Sequence, residues 1–176
     1  MSFKRRRSES DNSDLLLTPQ EWEERAREVL LARLSRGPRS KHQLAVLLEN
    51  RGVPEETSEM LLNRFTEVGL IDDAAFALAF TRDKRSSRGL AKSALKRELA
   101  AVGISQEHSE AALETIDSSD DLELAIRLVE KRWSSVARLE SDARYRRLGG
   151  FLARRGFPSG IISTAIKTVE RSEQFR

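Results

Sequence analysis

The sequence predicts an all-α protein, built as three tandem three-helix repeats stacked into an elongated, bent rod. Three observations predict it. A short punctuation recurs three times, in "RGVPEE" at 51–56, "VGISQE" at 102–107 and "RGFPSG" at 155–160. Each places an apolar residue and then Pro or Ser behind a glycine. Apolar residues also stand at the same distances from all three glycines, in steps that suit helix faces. Finally, glycine and proline number only nine and four among 176 residues, and aromatics make up 6%. No segment alternates like a strand.

Aligning the chain on Gly52, Gly103 and Gly156 gives a long period that fits three helices rather than two. Leu44, Leu95 and Leu148 share one column before the glycines, and Leu48, Leu99 and Leu152 share the next. Val53, Ile104 and Phe157 follow the glycines directly. Leu62, Leu113 and Ile166, then Phe65, Ile116 and Val169, complete the pattern. The glycine is expected to take the left-handed conformation that closes a helix, and the apolar residue to pack back on the turn. Pro or Ser then opens the next helix.

Residues 1–17 precede the pattern and read as a disordered tail. Repeat 1 spans 18–69. Its first helix starts at Thr18, Pro19 and Glu21, a capping box, and carries Trp22, Ala26, Val29, Leu30 and Leu34 on one stripe. "SKHQ" at 40–43 caps the second helix. Repeat 2 spans 70–117, with Asp72 and Asp73 opening a helix that bears Phe76, Ala79 and Phe80. Repeat 3 spans 118–172, and its first helix bears Leu122, Ile126, Val129, Trp133 and Val136. These aromatics lie on apolar stripes, which assigns them to the core rather than to base stacking. One repeat buries too few large side chains to offset the ordering of about fifty residues, so neighbours must stack. Units about 20 Å across would make a rod of roughly 60 Å.

Charged residues reach 34%, with a formal net charge of +3. The charge is sorted along the chain. Residues 82–97 hold seven basic residues and one acid, 144–155 hold five arginines and no acid, and 104–126 hold seven acids and no Lys or Arg. The basic clusters fall at the end of a first helix and on second helices. Arg82, Arg85, Arg88, Lys92, Lys96, Arg147 and Arg154 are therefore the candidate partner- or DNA-binding residues. Acids near helix starts, such as Glu55, Glu56 and Glu107, are explained by the helix dipole.

Nothing points to catalysis, a metal or a cofactor. There are no cysteines, His42 and His108 share no ligand spacing, and no phosphate loop or nucleophile elbow is present. Asp72 and Asp73 lack a third ligand and read as helix-start residues. "RLGGFL" at 147–152 has two glycines in mid-helix without a nucleotide-binding context. No apolar run reaches membrane length and the N-terminus lacks a secretory signal. The expectation is a cytoplasmic monomer.

The stretch "GLIDDAAFALAFTRDKRSSRGLAKSALKRELAAVGIS" at 69–105 resembles the RecX family, regulators of the RecA recombinase. Leu70, Ile71, Asp72, Asp73, Phe76, Ala77, Arg82, Arg85, Gly89, Lys92, Leu95 and Leu99 carry the likeness. "FLARRGFPSGIISTAI" resembles the family's closing repeat, and "SKHQLAVLLENRGVPEE" fits its first. Val102 departs from the pattern, which favours Lys or Arg there. The resemblance implies a non-enzymatic modulator that lies in the groove of the RecA–single-stranded DNA filament and suppresses ATPase, strand exchange and co-protease activity. The alternative is a helical-repeat nucleic-acid-binding protein whose basic helices contact phosphates of single- or double-stranded DNA directly.

Overall fold

The computed structural model describes residues 17–174; the expected N-terminal tail falls outside them apart from Leu17. Among the described residues the chain is all-helical, with nine helices and no strand. In order they are α1 (Pro19–Leu34), α2 (Lys41–Glu49), α3 (Glu55–Glu67), α4 (Asp73–Arg88), α5 (Lys92–Ala101), α6 (Gln106–Glu114), α7 (Ser118–Trp133), α8 (Ser141–Ala153) and α9 (Ser159–Gln174).

Local chemistry sets the helix ends. The Thr18 hydroxyl accepts from the Glu21 amide at 3.3 Å while the Glu21 carboxylate accepts from the Thr18 amide at 2.7 Å. The Thr18 amide, and after it the Thr18 hydroxyl donating to the same carboxylate at 2.8 Å, hold the Glu21 carboxyl below its usual range. Ser40 and Gln43 repeat this box at α2, and Asp117 and Asp120 at α7. At the other ends, Gly52, Gly103 and Gly156 have φ of 72°, 76° and 86°. The following amide turns back onto a buried leucine: Val53 to Leu48, Ile104 to Leu99 and Phe157 to Leu152, at 3.2, 3.1 and 3.3 Å. This is the left-handed helix stop expected from the sequence.

The chain divides after Asp73 into two compact units. In the first, α1 and α2 pack on α3 around Trp22, Ala26, Leu30, Leu44, Leu48, Leu61 and Phe65. In the second, α5 packs on α6, and α9 on both α7 and α8. One cluster there gathers Phe76, Ala77, Leu95, Leu99 and Leu113, and another gathers Val129, Val136, Leu148, Leu152 and Ile166. Every residue of the five glycine-aligned columns is buried. The stripes of the first helices differ in one respect. Ala26, Ala77 and Ala125 are fully buried, while Ala79 is exposed and Val29, Leu34, Phe80, Leu122, Ile126 and Trp133 are only partly covered. Alanine occupies the tightest approach, where a larger side chain would overfill the space.

Candidate functional site

The basic stretch from α4 to α5 is fixed by the residues that follow it in the fold. The N-cap of α5, Ala91, has no side chain able to cap. Three groups beyond α6 take over. The Arg155 carbonyl accepts from the Ala91 amide at 2.9 Å, the Asp121 carboxylate accepts from the Lys92 amide at 3.2 Å, and the Ser93 hydroxyl donates to the Gly156 carbonyl at 2.6 Å. The other Asp121 oxygen accepts from Arg85 Nη1 at 2.5 Å, and the Leu90 carbonyl accepts from the same nitrogen at 3.4 Å. Asp121 therefore holds the end of α4 and the start of α5 at once. In the first unit Asp73 accepts from the Lys41 amide, the first of α2, at 2.8 Å. Asp73 and Asp121 are the second acids of two Asp-Asp pairs, each four residues before a fully buried alanine. Asp73 opens its own helix as expected, Asp121 lies in the first turn of α7 behind the Asp117 cap, and each also caps a helix that precedes it in the chain.

The seven candidate residues separate into two kinds. Arg82, Arg88, Lys92, Lys96, Arg147 and Arg154 are exposed. Arg85 is not: its side chain is 17% exposed against 10% for Asp121, and its Nη2 has no acceptor among the described residues. It sits at the right place in the charge run, but its guanidinium turns inward because a buried carboxylate waits there. Arg154 stands at the C-cap of α8 rather than within the helix. Arg88 is answered by Glu98 at 2.6 Å, and Lys96 by Glu110 at 3.5 Å. Gln106 is the stronger partner of Glu110, donating at 2.8 Å; it is the main cause holding that carboxyl below its usual range, with Lys96 adding less. Arg82, Lys92, Arg147 and Arg154 make no ion pair among the described residues.

Lys92 and Lys96, one turn apart, line one wall of an open groove of about 750 Å³ together with Arg97. Leu113, Ala153 and Phe157 contribute apolar surface to it, and Glu110 and Glu114 on α6 supply acid. Basic and acidic side chains thus share this groove. A second cluster was not singled out from the sequence. The guanidiniums of Arg132 and Arg155 lie over the Phe151 ring, 4.0 and 3.8 Å from its centroid. Arg155 Nε donates to the Arg88 carbonyl at 3.1 Å. Burial, then the charges of Arg132, Arg154 and Arg88, lower the pKa of Arg155. The "RR" at 154–155 was visible in the charge run. Its meeting with Arg132 and Arg88 was not, since only the fold brings those segments together.

Comparison with known proteins agrees with this architecture. Residues 72–113 match the family model "RecX, second three-helix domain" and 119–166 match "RecX, third three-helix domain". The Regulatory protein RecX of Streptomyces coelicolor is 38% identical over 155 residues, covering 88% of this chain and 82% of that protein. That of Thermobifida fusca is 38% identical over 149 residues, covering 85% and 80%. The crystal structure of RecX from Lactobacillus salivarius superposes with a TM-score of 0.76 at 20% identity, covering 86% of this chain and 98% of that one. A second crystal structure, of a regulatory protein RecX, gives 0.75 at 20% identity, covering 95% and 81%. With glycine-closed three-helix repeats and relatives matched over most of their length, the chain belongs to the RecX family.

Proposed function

We propose that this chain is a non-enzymatic regulator of the RecA recombinase. On this reading it works in the cytoplasm as a monomer, within homologous recombination, DNA repair and the SOS response. It binds the groove of the RecA–single-stranded DNA filament and suppresses ATPase, strand exchange and co-protease activity. The repeats 18–69, 70–117 and 118–172 would each reach a different part of the filament, so that weak contacts add by avidity. The observation that carries the reading, beside family membership, is the unanswered positive charge of Arg82, Lys92, Arg147 and Arg154, with Lys96 and Arg88 only singly paired. Exposed charges of this kind contribute little to folding but much to an encounter with an anionic partner. Arg85 has another part in it, holding the α4–α5 corner rather than touching the partner.

The test is a titration of RecA ATPase on single-stranded DNA with the full chain and with the Lys92→Ala/Lys96→Ala double variant. Wild-type protein should inhibit at near-stoichiometric amounts and should itself hydrolyse neither ATP nor DNA. The double variant should unfold within about 0.5 kcal/mol of wild type and inhibit several-fold more weakly. Unchanged RecA activity at saturating wild-type protein would overturn the reading. Full potency in the double variant would remove Lys92 and Lys96 from the contact. A second reading, a repeat protein that binds nucleic acid unaided, is favoured by the arginines gathered around Phe151. It requires DNA binding in the absence of RecA.

A further inference from the structure

Two adjacent glycines, Gly149 and Gly150, sit in the body of α8. Glycine is the poorest helix former after proline, because it gives up the most backbone freedom on ordering. Neither residue is there for conformation, since neither has a positive φ. Neither is there for space. A Cβ on Gly149 would lie 3.7 Å from a methyl carbon of Ile162, an ordinary contact. One on Gly150 would meet, within 4 Å, only the mobile end of Arg154, at 3.4 Å. The fold would accept alanine at both places, and alanine would favour the helix.

The neighbours of Gly150 supply a reason. Arg146 and Arg147 precede it by four and three residues, and Arg154 follows by four. Those offsets surround one spot on a helix surface. All three arginines are exposed and make no ion pair among the described residues. The remaining neighbour, Ala153, is small and exposed as well. The helix dipole accounts for Arg154 at the C-terminal end, but not for Arg146 and Arg147 nearer the middle. Arg132 and Arg155 add to the positive field beside Phe151, the next residue along.

We propose that Gly150 with Arg146, Arg147 and Arg154 forms a phosphodiester-binding face, across which a nucleic-acid strand lies against the bare helix backbone. The missing side chain lets the strand come close, as glycines do where a backbone approaches a ligand. The guanidinium forks match phosphate oxygens two bonds at a time. An acidic protein surface fits less well, because protein interfaces centre on buried apolar anchors and none adjoins Gly150. The proposal deepens the filament reading and rests on it for the strand's identity as DNA bound by RecA.

The experiment uses the full chain and a fluorescein-labelled single-stranded oligothymidylate, without RecA, alongside the RecA ATPase titration. Gly150→Ala should raise Tm by about 2 °C while weakening oligonucleotide binding. Gly150→Glu should weaken binding further. Arg147→Ala/Arg154→Ala should weaken it too and reduce the logarithmic salt slope by about 1.4, two phosphate contacts' worth. A fall in Tm for Gly150→Ala would make the glycine structural and overturn the proposal. So would wild-type oligonucleotide affinity in the glutamate variant, or no oligonucleotide binding by the wild-type chain. Variants that keep oligonucleotide affinity but lose RecA inhibition would assign the face to a protein partner, sinking this proposal and leaving the filament reading intact. Variants that lose oligonucleotide affinity from a wild-type chain that never inhibits RecA would do the reverse.

Discussion

Arg85 and Asp121 lie thirty-six residues apart in the chain and 2.5 Å apart in the fold. Their burial makes the pair demanding, because a guanidinium removed from water loses its hydration on every N–H, and Arg85 Nη2 already lacks an acceptor among the described residues. Removing the carboxylate strands the charge and uncaps the Lys92 amide in one step. Asp121→Ala should therefore cost about 3 kcal/mol in urea denaturation. Asp120→Ala, one residue earlier and exposed, removes only a capping acceptor and should cost about 1 kcal/mol. Equal losses would mean that Asp121 contributes no more than an exposed capping acid. The sequence showed the acid pair 72–73 at a helix start, and it showed Arg85 within a basic run. It could not show that one member of the run faces inward, since inward and outward cations have the same spacing signature. In the first repeat the position four before the buried Ala26 holds Trp22, an apolar residue where the later repeats hold a capping acid.

At the scale of the element, the recurring unit is the helix–glycine–helix turn, and its three copies are not equivalent. Gly52 has nothing within 4 Å of a would-be Cβ. Its replacement by alanine meets only the left-handed backbone penalty, about 1 kcal/mol. At Gly156 a Cβ would stand 2.7 Å from Ala94 Cβ and from Ser93 Oγ and 2.8 Å from the Ala94 nitrogen. Overpacking adds to the backbone strain there, and the loss should reach about 3 kcal/mol. Denaturation of Gly52→Ala and Gly156→Ala side by side reads the difference, and equal destabilisation would contradict it. The turns themselves were legible, because a left-handed stop demands a glycine and the apolar residue after it must be buried. The difference between the copies was not. It arises from what the turn touches, and Gly156 touches α5, more than sixty residues earlier in the chain. The first-helix stripes were read with the same limit: Phe76 and Val129 are buried as expected, while Ala77 and Ala125 displaced Ala79 and Ile126 from the closest packing.

For the molecule as a whole, a net charge of +3 describes little. What matters is which cations find carboxylates, and that is a property of the fold. Arg144 and Arg85 are drawn into pairs with Glu170 and Asp121, leaving Arg146, Arg147 and Arg154 outward from the same stretches of sequence. Three-helix repeats, their order and their core columns could be read directly, because each repeat restates the same constraints. The joint between the second and third repeats could not, because it is written in two distant places. The joint within the second unit has a further consequence. The amides of Ala91 and Lys92 belong to the second repeat, yet their acceptors, the Arg155 carbonyl and the Asp121 carboxylate, belong to the third. Their hydrogen–deuterium exchange is thus a clock for the wrong repeat: both should exchange at the rate at which α7–α9 open, however firmly α5 itself stays wound. Truncation after residue 117 should free these two amides while the Leu99 amide, deeper in α5, keeps its protection for as long as the second repeat remains folded.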